Sequence, residues 1–434
     1  MSPIPFAAAL RFWFKLGCIS FGGPAGQIAL MHRVLVEEKR WISEARFLHA
    51  LNYCMLLPGP EAQQLATYLG WLMHRSPGGI AAGLLFILPS LILLLALSWL
   101  YLAYGHSPLL GGVFYGIRPV VTAIVLHAAW RIGGKTLRHP ALWALAAAAF
   151  LALTLGRLPF PLVLLAAAVT GWSLGHWRPA WLGRAHGQPE KTAKTTPPAL
   201  INDAWQAPHT RFRLSRLLWV VAIGGGLWLA GMLALRAGFG SGQLLPQLAG
   251  FFTQAALLTF GGAYAVLPYV QQAAVAHYGW LSGSQMIDGL ALGETTPGPL
   301  IMVVAFVGFV AGWNGQPLGS EQVLAGALLA GTVATAFTFL PSFVFILAGA
   351  PLVESTRGDW RLQAPLTAIT AAVVGVIANL AWYFAGETLW PAGQFDPLAG
   401  LLLAGAALAL WRGHGVPRVI AAGAGLGALL TLFG

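Results

Sequence analysis

The sequence predicts an all-α polytopic membrane protein built from two inverted-topology repeats with broken or re-entrant half-helices. Three observations carry that prediction. Of 434 residues, 57% are hydrophobic and only 9% are charged, against roughly 25% charged in soluble proteins. Apolar runs recur along almost the whole chain, enough for about a dozen spanning helices at ~20 residues each. A set of Gly/Pro motifs also returns at one fixed offset. A water-soluble multidomain enzyme is excluded.

The first repeat, residues 1–177, opens with short apolar runs at Pro3–Phe21, Ala25–Val36, Phe47–Leu57 and Ala62–Met73. Longer runs follow at Gly79–Tyr104, Leu109–Ile132, Ala141–Leu158 and Phe160–Trp177. Residues 178–216 hold seven Lys/Arg with Pro179, Pro189, Pro197, Pro198 and Pro208, and show no helical period. They read as a basic, Pro-rich linker, expected to be cytoplasmic and to touch anionic lipid. A nucleic-acid partner is not expected, since no soluble domain combines basic clusters with stacking aromatics. The second repeat, 217–434, gains a leading helix at Leu217–Leu235. It continues through Leu244–Phe260, Ala263–Ala276, Met286–Thr296, Leu300–Ala311, Val323–Leu352, Leu366–Phe384, Leu398–Trp411 and Val416–Phe433.

Phe21-Gly22-Gly23 recurs as Phe260-Gly261-Gly262, Trp41 and Ser43 as Trp280 and Ser282, and Pro58-Gly59-Pro60 as Pro297-Gly298-Pro299, all at an offset of 239. Leu88-Pro89-Ser90 recurs as Leu340-Pro341-Ser342 at 252, placing a 13-residue insertion around Trp313–Gln322. The chain is a tandem duplication. Basic residues orient the copies. The first has Arg33, Lys39, Arg40 and Arg46 between its two motifs, whereas 237–356 in the second contains no Lys or Arg. Cytoplasmic loops attract Lys and Arg, so equivalent loops should face opposite sides, as in many secondary transporters. An inserted helix at Leu217–Leu235 supplies the inversion.

Runs of 11 or 12 residues reach only about 18 Å at ~1.5 Å per residue, well short of a ~30 Å hydrocarbon core. The FGG and PGP breaks therefore fall near mid-bilayer, where irregular backbone survives only inside protein or beside a wet cavity. Pro58 stops one half-helix. Pro60 can begin the next, leaving amides at Glu61 to Gln63 free. Gly22 and Gly23 open backbone conformations closed to other residues. Helix N-termini bind oxyanions without a full cation, so two copies bring up to four such ends to one site. Ser20, Thr259, Thr295 and Thr296 add hydroxyls. The plainer alternative makes PGP a tight turn and FGG a close helix contact, and the duplication weighs against it.

Charged groups inside apolar segments are costly and usually functional. Arg11 and Lys15 share one helix face; they either meet substrate or snorkel to the interface. Arg118 is a third candidate cation. Glu61 either caps its helix or, with Glu294, couples proton to anion movement by changing between neutral and charged forms. Asp288 and Glu387 are expected near a membrane surface, and His127 and the two cysteines, Cys18 and Cys54, are expected to pack. The 11 histidines show no metal-binding spacing, and no cofactor is implied. Nothing resembles a secretory signal, because Arg11 and Lys15 lie inside the apolar stretch. No nucleophile–base constellation points to an enzyme.

Ser20-Phe21-Gly22-Gly23-Pro24, Leu57-Pro58-Gly59-Pro60-Glu61, Thr259-Phe260-Gly261-Gly262-Ala263 and Thr296-Pro297-Gly298-Pro299 resemble the signatures of the chromate ion transporter family, long-chain two-domain type. The resemblance spans nearly the whole chain. It implies a bacterial inner-membrane exporter of chromate that confers chromate resistance, with sulfate as a look-alike anion. The substrate-binding set then comprises Ser20, Phe21, Gly22, Gly23, Pro58, Gly59, Pro60, Glu61, Gln63, Thr259, Phe260, Gly261, Gly262, Thr295, Thr296, Pro297, Gly298 and Pro299, with Arg11, Lys15 and Arg118. A general sulfate/molybdate-type transporter and an anion channel are the alternatives. The sequence leaves open whether two chains pair as a homodimer.

Overall fold

The computed structural model describes residues 4–21, 23–105, 107–156, 158–177, 199–202, 205, 207–240, 242–355 and 363–433. Gly22, most of the linker and the chain around residue 360 lie outside the described residues. Among the described residues, regular structure is helical apart from one isolated bridge between Ile42 and Ile201. This is an all-α polytopic membrane protein: among the described residues, six helices are long and apolar enough to cross a bilayer.

The first repeat runs α1 Phe6–Ile19, α2 Gly23–His32, α3 Glu44–Leu56, α4 Glu61–Tyr104, α5 Pro108–Thr136, α6 Pro140–Thr154 and α7 Phe160–Trp177. An extra helix, α8 Leu214–Phe239, leads into the second. There follow α9 Leu244–Leu257, α10 Ala263–Gln271, α11 Gly283–Thr295, α12 Val303–Gly315, α13 Val323–Ser355, α14 Gln363–Leu389, α15 Pro397–Trp411 and α16 Val416–Phe433. Subtracting 239 lays α11 on α3 residue for residue, and the π-helical turn Gln272–His277 on its counterpart Arg33–Glu38. Side-chain caps start several helices where the sequence supplies Ser or Asp. Ser43 and Ser107 cap α3 and α5, Ser282 forms a capping box with Gln285 at α11, and Asp396 caps α15.

The helix α4 is really a hairpin. Its backbone leaves helical geometry at His74 and Arg75 (φ 60°), and the arms pack antiparallel. A Cβ on Gly70 would lie 2.5 Å from that of Ala82, and one on Gly83 2.4 Å from the Thr67 hydroxyl. The second repeat makes the same reversal through a loop and the 3-10 turn Ser320–Gln322 between α12 and α13, inside the region where the insertion is expected. Among the described residues, the candidate full spans number six, against the dozen that apolar content allows. The helices α1, α3, α9, α11 and α12 have only 13 or 14 residues and reach about 20 Å.

The short helices of each repeat pack with their own neighbours. At the start of α1, His74 Nε2 of the α4 kink lies 2.8 Å from the Ile4 carbonyl oxygen. Among those of the second repeat, Asn314 donates to the Trp280 carbonyl at 3.1 Å. The long arm of α4 passes from one set to the other. Gly83 meets Thr67, Ser90 meets Gly298, and the Tyr101 ring packs 5.5 Å from Phe306. The outer helices close the bundle. The backbones of α5 and α16 touch at Gly112, Gly116, Gly423 and Gly427, where no Cβ would fit.

The described end of the linker docks on the first repeat. Ile201 accepts from the Ser43 amide at 3.0 Å, Trp205 stacks under Arg46, and His209 packs against Trp71. The helix α8 begins at Leu214, three residues before the sequence-expected boundary.

Candidate functional site

The breaks that end the short helices meet in the middle of the bundle. After α1 the chain turns through Ser20 and re-enters a helix at Gly23 (φ 68°). After α3 it passes through Pro58-Gly59-Pro60, with Gly59 at φ 129°. The second copy repeats both turns, with Gly261 and Gly262 at φ 78° and 97° and Gly298 at φ 111°. Only glycine holds such angles without strain. Pro60 is the N-cap of α4 rather than its first residue, so Glu61 opens the helix. The first intrahelical bond there is Gln64 N–H to the Pro60 carbonyl, 2.9 Å, which leaves the amides of Glu61 to Gln63 ahead of it. Pro299 caps the matching 3-10 turn Leu300–Met302.

The two PGP turns are exchanged between repeats. The Gly59 amide donates to the Thr259 carbonyl at 2.8 Å, and the Gly298 amide donates to the Ser20 carbonyl, also at 2.8 Å. Adding 239 to 59 and 20 gives 298 and 259, so each contact is the image of the other. Such reciprocity is the mark of an isologous, two-fold arrangement. Two serines follow the same rule. Ser342 sits against Gly59 and Ser90 against Gly298, each serine coming from the opposite repeat. The glutamines are not duplicated, Val266 and Val303 standing at the matching positions: Gln64 donates to the Pro58 carbonyl of its own repeat at 2.7 Å, while Gln27 donates to the Gly298 carbonyl of the other. Glu61 reaches across to the other copy, its Oε1 lying 3.8 Å from where a Cβ on Gly262 would stand. Glu294 is buried and accepts the Tyr264 hydroxyl.

Chemically, the crossing gathers helix N-termini, whose partial positive charge favours an anion. The hydroxyls expected to join them have turned elsewhere. Ser20 donates to Leu16 O at 2.6 Å, Thr259 to Ala255 O at 2.6 Å, Thr295 to Ala291 O at 3.0 Å and Thr296 to Gly293 O at 3.2 Å. A hydroxyl in an apolar helix finds the carbonyl one turn back, and that local bond takes its proton. Gln63 is fully buried, with Nε2 on the Thr67 hydroxyl at 2.9 Å. Phe21 is 44% exposed. Among the described residues, no group of three His, Cys, Asp or Glu is placed to hold a metal ion.

The model of the chromate transporter family matches residues 7–172 and 246–428, one stretch in each repeat. The chain belongs to the chromate transporter family. It is 34% identical over 381 residues to a chromate transport protein of Pseudomonas aeruginosa, covering 86% of this chain and 80% of that one. It is 30% identical over 373 residues to a chromate transport protein of Cupriavidus metallidurans, covering 85% and 80%. To a probable chromate transport protein of Synechococcus elongatus it is 29% identical over 422 residues, covering 96% and 94%. No solved structure matches it significantly.

In this family member the three candidate cations part company. Arg11 and Lys15 are exposed on one face of α1 and line a cavity of about 490 Å³ with Arg33 and Lys39. Arg118 is committed elsewhere: it grips Asp288 with two bonds of 2.9 Å, and Tyr101 adds a third at 2.8 Å. Asp288, expected near a surface, is 0% exposed, because its charge is met by partners that sequence spacing does not reveal. His127 is half-buried, and Cys54 is buried. A second cluster joins Glu354 to the Tyr68 hydroxyl at 2.6 Å and to Arg46 at 3.6 Å. Sequence reasoning also passed over Ser90, Ser342, Gln27 and Gln64. For the serines a signal existed, since they end the repeated Leu-Pro-Ser motif.

Proposed function

We propose that this protein exports chromate across the bacterial inner membrane, conferring chromate resistance, by rocking one repeat against the other around the central crossing. The observation that carries the reading is the reciprocal exchange of the PGP turns. A crossing whose turns are exchanged between the copies can open to either side without being rebuilt, which is the requirement of alternating access. Substrate class is supported by the relatives named chromate transport protein and by helix N-termini suited to a tetrahedral dianion. The lysine and arginine bias supports copies of opposite sense, with the basic linker on the cytoplasmic side. An inside-negative potential itself favours expelling a dianion, by ~2.3 kcal/mol per charge per 100 mV. Glu61, poised across from Gly262, is the better placed of the two carboxylates to couple proton movement; Glu294 is held by Tyr264.

Backbone amides read tetrahedral shape and charge rather than the central atom, so sulfate or molybdate is the second reading for the same site. Pro60→Ala and Gly261→Leu test the site. Both variants should lose chromate efflux and resistance by at least about tenfold, the effect of ~1.4 kcal/mol, while still reaching the membrane. Wild-type efflux by both would sink the proposal. Efflux that never saturates and shows no trans-stimulation would indicate a channel instead.

A further inference from the structure

We propose that the hydroxyls of Ser90 and Ser342 are the side-chain donors that hold the transported oxyanion, one supplied by each repeat; this rests on the oxyanion-transport reading above. Both serines are 0% exposed, and neither hydroxyl has a hydrogen-bond partner among the described residues. Buried polar groups are nearly always paired, and an exception calls for a reason. The neighbours show what the default is. On α4, Ser98 donates to Leu94 O at 2.6 Å; on α13, Thr335 and Thr338 donate to Gly331 O and Ala334 O at 2.8 and 2.7 Å. Ser90 and Ser342 alone among these break the pattern, and each directly follows a proline, which interrupts the helix ladder at that point.

Their position is equally specific. A Cβ on Gly59 would lie 2.4 Å from the Ser342 hydroxyl oxygen, and one on Gly298 2.8 Å from that of Ser90. Each unspent hydroxyl therefore abuts a PGP turn of the opposite repeat, beside helix N-termini. The hydroxyls of Ser20, Thr259, Thr295 and Thr296 are already turned to carbonyls, which leaves these two as the uncommitted ones at the crossing. Two neutral donors in two-fold array suit a dianion whose oxygens are equivalent, and they bind it without trapping it as a full cation would. The amide oxygens of Gln27 and Gln64, also without partners among the described residues, would be served by water accompanying the ion.

The test uses the purified full chain in detergent with chromate and, separately, sulfate as probes. Anion affinity and ligand-free melting temperature are read for wild type, Ser90→Ala, Ser342→Ala, the double variant and Ser98→Ala. Each single substitution should weaken binding of both anions about tenfold, as expected for a lost hydrogen bond to a charged group, and the double by more. The ligand-free melting temperature should hold or rise, because an orphaned polar group is removed. Ser98→Ala should bind as wild type. If the singles and the double bind as wild type, the serine assignment falls while the oxyanion reading survives. A loss as large in Ser98→Ala, or lowered ligand-free melting at Ser90 and Ser342, would make the hydroxyls structural and overturn it too. If wild type binds neither anion, the transport reading itself fails.

Discussion

The crossing of the PGP turns and the two buried charge clusters are built on opposite plans. At the centre the backbone turns and the serines against them come twice: Gly59 on Thr259 and Gly298 on Ser20, Ser342 on Gly59 and Ser90 on Gly298. In the clusters, each repeat contributes different chemistry. One ties Arg118 and Tyr101 to Asp288, and the other ties Arg46 and Tyr68 to Glu354. In both clusters the first repeat supplies the arginine and tyrosine, and the second the carboxylate. The duplicated positions do not match: His49 stands opposite Asp288, Gln285 opposite Arg46 and Val307 opposite Tyr68. A reciprocal centre has no preferred side. Any preference between two arrangements must come from ties that the duplication does not copy.

The largest expected effect therefore lies in one of these clusters. Arg118→Leu strands Asp288, a fully buried carboxylate, with only a tyrosine hydroxyl. Removing one partner of a buried pair costs about 3–5 kcal/mol, visible as a large fall in melting temperature; Arg118→Leu with Asp288→Leu should recover most of it. Equal destabilisation by the single and the double would show that the pair does not act as a unit. Next come Gly59→Ala and Gly298→Ala, where a side chain meets a positive φ and a serine of the other repeat. Each should cost about 1–3 kcal/mol and lose transport, and the two should behave alike. A marked difference between them would break the central symmetry. The smallest effect belongs to Glu354→Gln, which keeps an acceptor for Tyr68 while Arg46 retains the Trp205 carbonyl and ring. Thermal melts should register about 1 kcal/mol.

The repeat made the plan of the fold readable, because glycine and proline at fixed spacing report backbone breaks directly. The half-helices before and after Phe260 and Pro297, and the insertion near Ser320, follow from it. Two things stayed hidden. The π-helical turns at Arg33–Glu38 and Gln272–His277 share one register, but no side-chain pattern marks a π turn. The ion pairs of Arg118 with Asp288 and of Arg46 with Glu354 join residues 170 and more positions apart, and no periodicity encodes that. The bonding of the motif hydroxyls was hidden for a physical reason. Ser20 and Thr259 lie in the motifs, yet an apolar helix satisfies them locally. Ser90 and Ser342 lie outside the FGG and PGP motifs, and their hydroxyls were left unspent.

The reciprocal centre also constrains how the chain is born. When synthesis has just passed Trp177, the amide of Gly59 and the carbonyl of Ser20 have been made, but Thr259 and Gly298 have not. A backbone group left unmet within hydrocarbon is costly, by several kcal/mol. The first repeat must then wait in the bilayer with its turns open, hydrated or frayed, until some 120 further residues have been inserted. The first repeat alone therefore cannot satisfy the amide of Gly59 in the way the finished molecule does; the second copy completes it.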